Sequence, residues 1–177
     1  IVSLDETKGF AWSTEDIVTG ATSDTDGAEN TKKILNLGTY SESVYPAVGW
    51  CVAKNANAIE GIYWYLPAKQ ELRQLCVATC GLKLVASDAV AGAGEIADWD
   101  SFGMLDYMNY LPNRRLFYEK ITTAKGTLFG SGIYGFYSST DDLSDVDRVS
   151  CIYLSDGQYV LDKKKEKYEN ICAVSAF

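Results

Sequence analysis

Histidine is missing from the 177 residues altogether. Nucleophilic catalysis by serine or cysteine generally needs a neighbouring base, most often histidine, so serine and cysteine triads of the usual kind are excluded. The same absence reduces zinc sites to all-thiolate sets, and Cys51, Cys76, Cys80, Cys151 and Cys172 follow no CxxC spacing. Long apolar runs are missing too: no stretch approaches the roughly 20 residues needed to cross a bilayer, so membrane insertion by this domain is not expected. Basic residues are the minority, 16 against 24 acidic, and the formal charge of -8 repels phosphate backbones and anionic headgroups. Nucleic acid is therefore not an expected partner. The one basic run, Lys163 to Lys167 interrupted by Glu166, reads as a solvated loop tip. No charged n-region or cleavage site precedes the strand-like IVSL, so the start reads as trimmed, with a signal peptide, anchor or preceding domain expected to be lost.

What is present fits one folded domain over residues 1–177. That length buries a core without help from disulfides or metals, and 47% hydrophobic with 23% charged residues matches soluble globular proteins. An odd number of cysteines leaves at least one thiol without an internal partner, which fits a reduced compartment or an exported protein with one or two bridges. Cys76 and Cys80 share a helical face with Cβ atoms about 5–6 Å apart, beyond the roughly 4 Å a disulfide needs.

Residues 1–4 read as a strand, and Asp26, Gly27 and Glu29 mark a short helix reaching Leu35. Pro46 suits a first helical position, and Val48, Cys51 and Val52 share one face of a helix over 45–54. Residues 62–66 are strand-like. Pro67 then starts a helix with Leu72, Leu75, Cys76 and Thr79 on one side, ended by Gly81. Residues 82–112 are less regular, with a short helix between Trp99 and Tyr110. Asn113 reads as the N-cap of a further helix with Leu116, Phe117, Lys120, Ile121 and Ala124 on one side and Gly126 to stop it. The last third changes to alternation, with strands near 133–138, 148–154, 158–162 and 170–176 and a hairpin turn at Asp156 and Gly157. Helices first and antiparallel strands afterwards predict an α+β domain, helices packed on a small antiparallel sheet, with a loop-rich C-terminal half. Within 148–154, Val149, Cys151 and Tyr153 fall on one face and Ser150, Ile152 and Leu154 on the other; one set is expected in the core, with Tyr153 outward.

YWYLPAKQEL at 63–72, FYSSTD at 136–141, and YLSDGQYV followed by ICAVSAF resemble, in order and spacing, the signature segments of the Lcl C-terminal-domain-like family of bacterial surface proteins. DGAENTKKI at 26–34 and YPAVGWC at 45–51 are similar to its early helices, so the resemblance covers nearly the whole chain apart from roughly 82–112. It implies a C-type-lectin-like fold whose loop-rich C-terminal half presents a binding surface. Tyr137 stands where that family has the tryptophan of Trp-Ser-Ser-Thr, Ala68 replaces Ser or Thr after the proline, and Cys172 and Ser175 replace two terminal arginines. Against that background a Cys151–Cys172 disulfide is expected, with Cys51–Cys172, as in many C-type lectins, as the rival.

Two motifs fail on context. Gly130, Gly132 and Gly135 match G-x-G-x-x-G, but a strand signal follows and no helix opens there to receive a pyrophosphate. Asp141, Asp142, Asp145 and Asp147 could offer oxygens to calcium, but lack the EF-hand order and the segments of calcium-dependent lectins. No cofactor is expected.

The function implied is a non-enzymatic ligand-binding module of a bacterial cell-surface protein, adhesin or receptor-like, exported or secreted, with a glycan or protein ligand. The alternatives are a structural or tip subunit of a surface appendage and a sugar-active enzyme using two carboxylates. The expected binding surface is Tyr134, Tyr137, Asp141, Asp142, Asp145, Arg148, Tyr153, Gln158 and Tyr159, on loops and strand faces of the last third.

Overall fold

The computed structural model describes residues 1–97, 104–127, 135–153, 157–167 and 169–176. These form an α+β domain with four α-helices and a mixed five-stranded sheet. The order is β1 (Val2–Lys8), α1 (Gly27–Leu35), α2 (Pro46–Ala53), a 3-10 turn (Lys54–Asn57), α3 (Lys69–Thr79), β2 (Lys83–Val85), β3 (Glu95–Ala97), α4 (Met104–Thr123), β4 (Gly135–Asp141), β5 (Arg148–Tyr153), β6 (Tyr159–Lys163) and β7 (Asn170–Val174). The main sheet runs β1-β7-β4-β5-β6, and β2 with β3 makes a separate parallel pair. All neighbours in the main sheet are antiparallel except β4 and β7, so the sheet is mixed rather than antiparallel throughout.

Local chemistry starts the first two helices where expected. The Asp26 carboxylate accepts from Glu29 N at 2.8 Å, satisfying one of the free amides of α1, and Pro46 occupies the first turn of α2. α3 begins two residues after Pro67, with Ala68 at the N-cap. Glu71 reaches back to Ala68 N at 2.7 Å, but alanine cannot return the bond a serine or threonine would make. The segment 62–66 is not a strand; its sheet contact is one bridge between Tyr65 and Val174.

α4 departs most from expectation. It begins at Met104, passes through Pro112, and Asn113 is no N-cap: its Nδ2 donates to Cys80 O at 2.9 Å and so closes the end of α3. Arg114 and Ile121 are buried, Phe117 and Tyr118 partly so, whereas Leu116 and Ala124 are exposed. Lys125 takes the left-handed conformation (φ 62°) that ends the helix, and Gly126 serves a different need: a Cβ there would strike the Leu4 carbonyl of β1.

Both sheet faces are covered. Ile34 of α1 and Val48 and Cys51 of α2 pack with Tyr137, Val149, Cys151, Ile171 and Ala173. Leu72, Cys76 and Val77 of α3 and Ile121 of α4 pack with Phe136, Ile152 and Cys172. The expectation that only one face of β5 is core is therefore corrected: Cys151 enters one core and Ile152 the other.

The same alternation separates the cysteines. Cys151 and Cys172 point to opposite faces with β4 between their strands, and all five thiols are free and buried. Cys51 Sγ approaches the Cys172 carbonyl at 3.6 Å, while the Cys172 side chain lies on the other face. Neither expected bridge forms, because each pairs thiols that the sheet holds apart.

Candidate functional site

β4 organises the candidate site. Every residue of this strand is buried, although Ser138, Ser139, Thr140 and Asp141 are polar. Burying such groups is costly unless they find partners, and each does. Ser138 Oγ donates to Ser150 O (2.7 Å), Asn30 Nδ2 to Ser139 Oγ (3.2 Å) and Thr140 Oγ1 to Ser23 O (2.9 Å), while Lys69 N donates back to Thr140 Oγ1 (3.1 Å). Backbone amides of Ser139 and Asp141 donate to Pro67 O and Ala21 O, and Trp12 Nε1 donates to Ser138 O. The polar half of FYSSTD thus ties the loop after β1, α1 and the start of α3 to the sheet.

Asp141 completes the arrangement. Its Oδ2 accepts from Thr19 N (2.8 Å) and Thr19 Oγ1 (2.9 Å), and its Oδ1 lies 2.6 Å from Lys164 Nζ, with both charged side chains fully buried. Lys164 also donates to Ile17 O (2.8 Å), and its ammonium lies 5.2 Å from the centre of the Trp12 ring. Main-chain bonds from Lys164 N to Asp147 O and from Ser13 N to Lys164 O lock the same segments. Three loop segments therefore meet at one end of the sheet, around a desolvated ion pair: 9–26, 142–147 and 164–167. The basic run is not wholly solvated as expected, because Lys164 is its buried member.

What these loops turn outward is mixed. Leu143 is 65% exposed, Val146 49% and Val18, next to Thr19, 43%. Around the first two, Asp142 Oδ1 accepts from Ser144 N and Oγ, and Arg148 Nε lies 3.2 Å from Asp145. A hydrogen bond with Asp147 holds the Asp145 carboxyl below its ordinary value, and the same contact raises that of Asp147.

The nine expected binding residues do not converge. Tyr134 lies outside the described residues. Tyr137 is fully buried, its hydroxyl donating to Glu166 O at 2.8 Å, and Asp141 is the buried partner of Lys164; both are corrected from surface to core. Asp142, Asp145 and Arg148 stay together at the loop-built end. Tyr153, Gln158 and Tyr159 sit at the other end of β5, roughly 17 Å away at a rise of about 3.4 Å per residue. Tyr153 is half-buried rather than outward, with its ring against Gly135, and Tyr159 lies about equally far from Lys69 (6.0 Å) and Arg73 (5.9 Å). Leu143, Val146, Val18 and Lys164 were missed, since exposure and burial of single loop residues leave no periodic trace.

Among the described residues no three acidic or thiol groups come together, and Asp141 already faces an ammonium. A cleft of about 450 Å³ opens between α3 and β7, but its carboxylate, Glu71, is engaged by Tyr65 Oη, Gly27 N and Ala68 N as part of the helix caps. Among the described residues no helix is long and apolar enough to cross a membrane. No protein-family model, curated protein or solved structure matches the chain.

Proposed function

We propose that the chain is a non-enzymatic binding module of C-type-lectin-like fold, exported to a bacterial surface as part of an adhesin or receptor, whose recognition surface is the loop-built end of the sheet. The observation that carries this reading is the buried Lys164–Asp141 pair at the root of exposed loops. A desolvated ion pair contributes little net stability compared with apolar packing of the same volume, but it imposes one geometry. Here that geometry fixes where Leu143, Asp145, Val146 and Arg148 stand relative to Val18, and loops held on a rigid scaffold are the usual seat of recognition. The resemblance of FYSSTD and YWYLPAKQEL to segments of a surface-protein family supports export and a glycan or protein ligand.

The test is a screen of the purified domain on glycan arrays and host or surface proteins, beside glycosidase substrates. Binding lost in a Leu143→Ala/Asp145→Ala/Val146→Ala variant that melts like the parent is the expected result. Turnover of a glycoside abolished by one carboxylate substitution overturns the reading.

A further inference from the structure

The buried pair that anchors the loops also has the geometry of a condensation site. Lys164 Nζ stands 2.6 Å from Asp141 Oδ1, and neither side chain is reached by water. The two oxygens of Asp141 are held differently. Oδ2 accepts two hydrogen bonds, from Thr19 N (2.8 Å) and Thr19 Oγ1 (2.9 Å), whereas Oδ1 makes none among the described residues and faces Nζ. Ala21 N donates to Thr19 Oγ1 at 3.2 Å, which leaves the hydroxyl hydrogen for Oδ2. Two donors converging on one carboxyl oxygen at these distances make an oxyanion hole. Nζ in turn donates to Ile17 O at 2.8 Å, and the fully buried Trp12 ring is centred 5.2 Å from it. The main chain fixes both reactants: Asp141 N donates to Ala21 O, Lys164 N to Asp147 O and Ser13 N to Lys164 O. Amine and carboxyl held in contact this way react as one molecule, without the entropic cost of an encounter.

We propose that Lys164 and Asp141 condense spontaneously into an intramolecular isopeptide bond between Nζ and Cγ, with loss of one water. The ammonium first passes a proton to Oδ1, which turns two desolvated charges into a neutral amine and a carboxylic acid. The Nζ lone pair then adds to Cγ, and the electrons of the Cγ–Oδ2 double bond move onto Oδ2. There the Thr19 amide and hydroxyl hold the charge. A second proton moves from Nζ to Oδ1, the Oδ2 electrons return, the Cγ–Oδ1 bond breaks and Oδ1 leaves as water. Both protons of that water come from Nζ, so no other acid, base or co-reactant enters. The amide keeps one hydrogen on Nζ, placed to go on donating to Ile17 O. The bond is independent of what the loops recognise. It makes their root covalent and closes residues 141–164 into a ring that unfolding cannot open.

Intact-mass measurement under denaturing conditions, on chain purified in its folded form and incubated, reads the bond directly. The wild type is expected to weigh one water less than its sequence requires. Lys164→Arg, which cannot make this amide, should weigh what its sequence requires. Tryptic mapping of the wild type should find no cleavage after Lys164 and one branched peptide in which Asp141 and Lys164 are joined. A wild-type chain of full mass overturns the proposal, and so does a missing water that maps to any other residues. Should Lys164→Arg not fold, the mass and the branched peptide of the wild type still decide.

Discussion

The ammonium of Lys164 stands 2.6 Å from Asp141 Oδ1 with neither side chain reaching solvent, whereas the adjacent Lys165 meets Asp16 in the open. The two lysines are consecutive in sequence and energetically unlike. Removing one partner of the buried pair leaves a charge without compensation, so Lys164→Ala or Asp141→Ala should each cost about 3–5 kcal/mol in urea unfolding. Lys165→Ala, by contrast, should stay within about 1 kcal/mol. A double-mutant cycle on Lys164 and Asp141 should return a clear coupling energy; additivity would show that the pair does not act as one unit.

Thiol accessibility provides a second check. Because the sheet separates Cys151 from Cys172 and all five cysteines are buried, a thiol reagent should react negligibly with the native chain and with five groups after denaturation. Non-reducing peptide mapping that finds a Cys151–Cys172 or Cys51–Cys172 peptide would contradict the face assignment.

Gly27 gives a prediction against propensity. Alanine is the better helix former, yet a Cβ at the start of α1 would stand 2.5 Å from Ala68 N and 2.7 Å from Leu66 O. Gly27→Ala should therefore destabilise by about 1–3 kcal/mol, measured by thermal or urea unfolding, rather than stabilise.

Tyr137 separates packing from recognition. Tyr137→Phe removes the hydroxyl's bond to Glu166 O and its longer contact with Lys163 O and should cost about 0.5–1.5 kcal/mol, while Tyr137→Ala should cost about 3–5 kcal/mol by opening a cavity. An alanine variant that loses binding yet melts like the parent would return this residue to the surface set.

The parts legible in the sequence are those whose chemistry is local. Asp26 and Pro46 start their helices through contacts one turn away, and the alternation around Val149 and the glycine at 157 mark the β5–β6 pair. α4 was misread because Asn113, a residue suited to capping its own helix, caps α3 from across the interface, and because Arg114 occupies a place in the buried stripe. Asp141 and Tyr137 read as free for a ligand because their partners, Thr19 and Glu166, lie far off in sequence. A lysine in KKKEK looks solvated; only the convergence of three loops reveals that Lys164 is enclosed. A signal was nonetheless present in VSCI, where apolar residues at both parities indicate a strand covered on two sides.

β7 lies between β1 and β4, with Lys8 opposite Asn170 and Val2 opposite Val174. The sheet can therefore close only after the residues from β1 through β7 have all been made. A nascent chain still lacking its last strand leaves β1 without its partner and the faces of both cores open to water. Contacts so distant in sequence carry a large loop-closure entropy and place folding toward the slower, millisecond-to-second regime. During that interval the unpaired edges of β1 and β4 are templates for the wrong strand, a hazard that ends only when β7 enters between them.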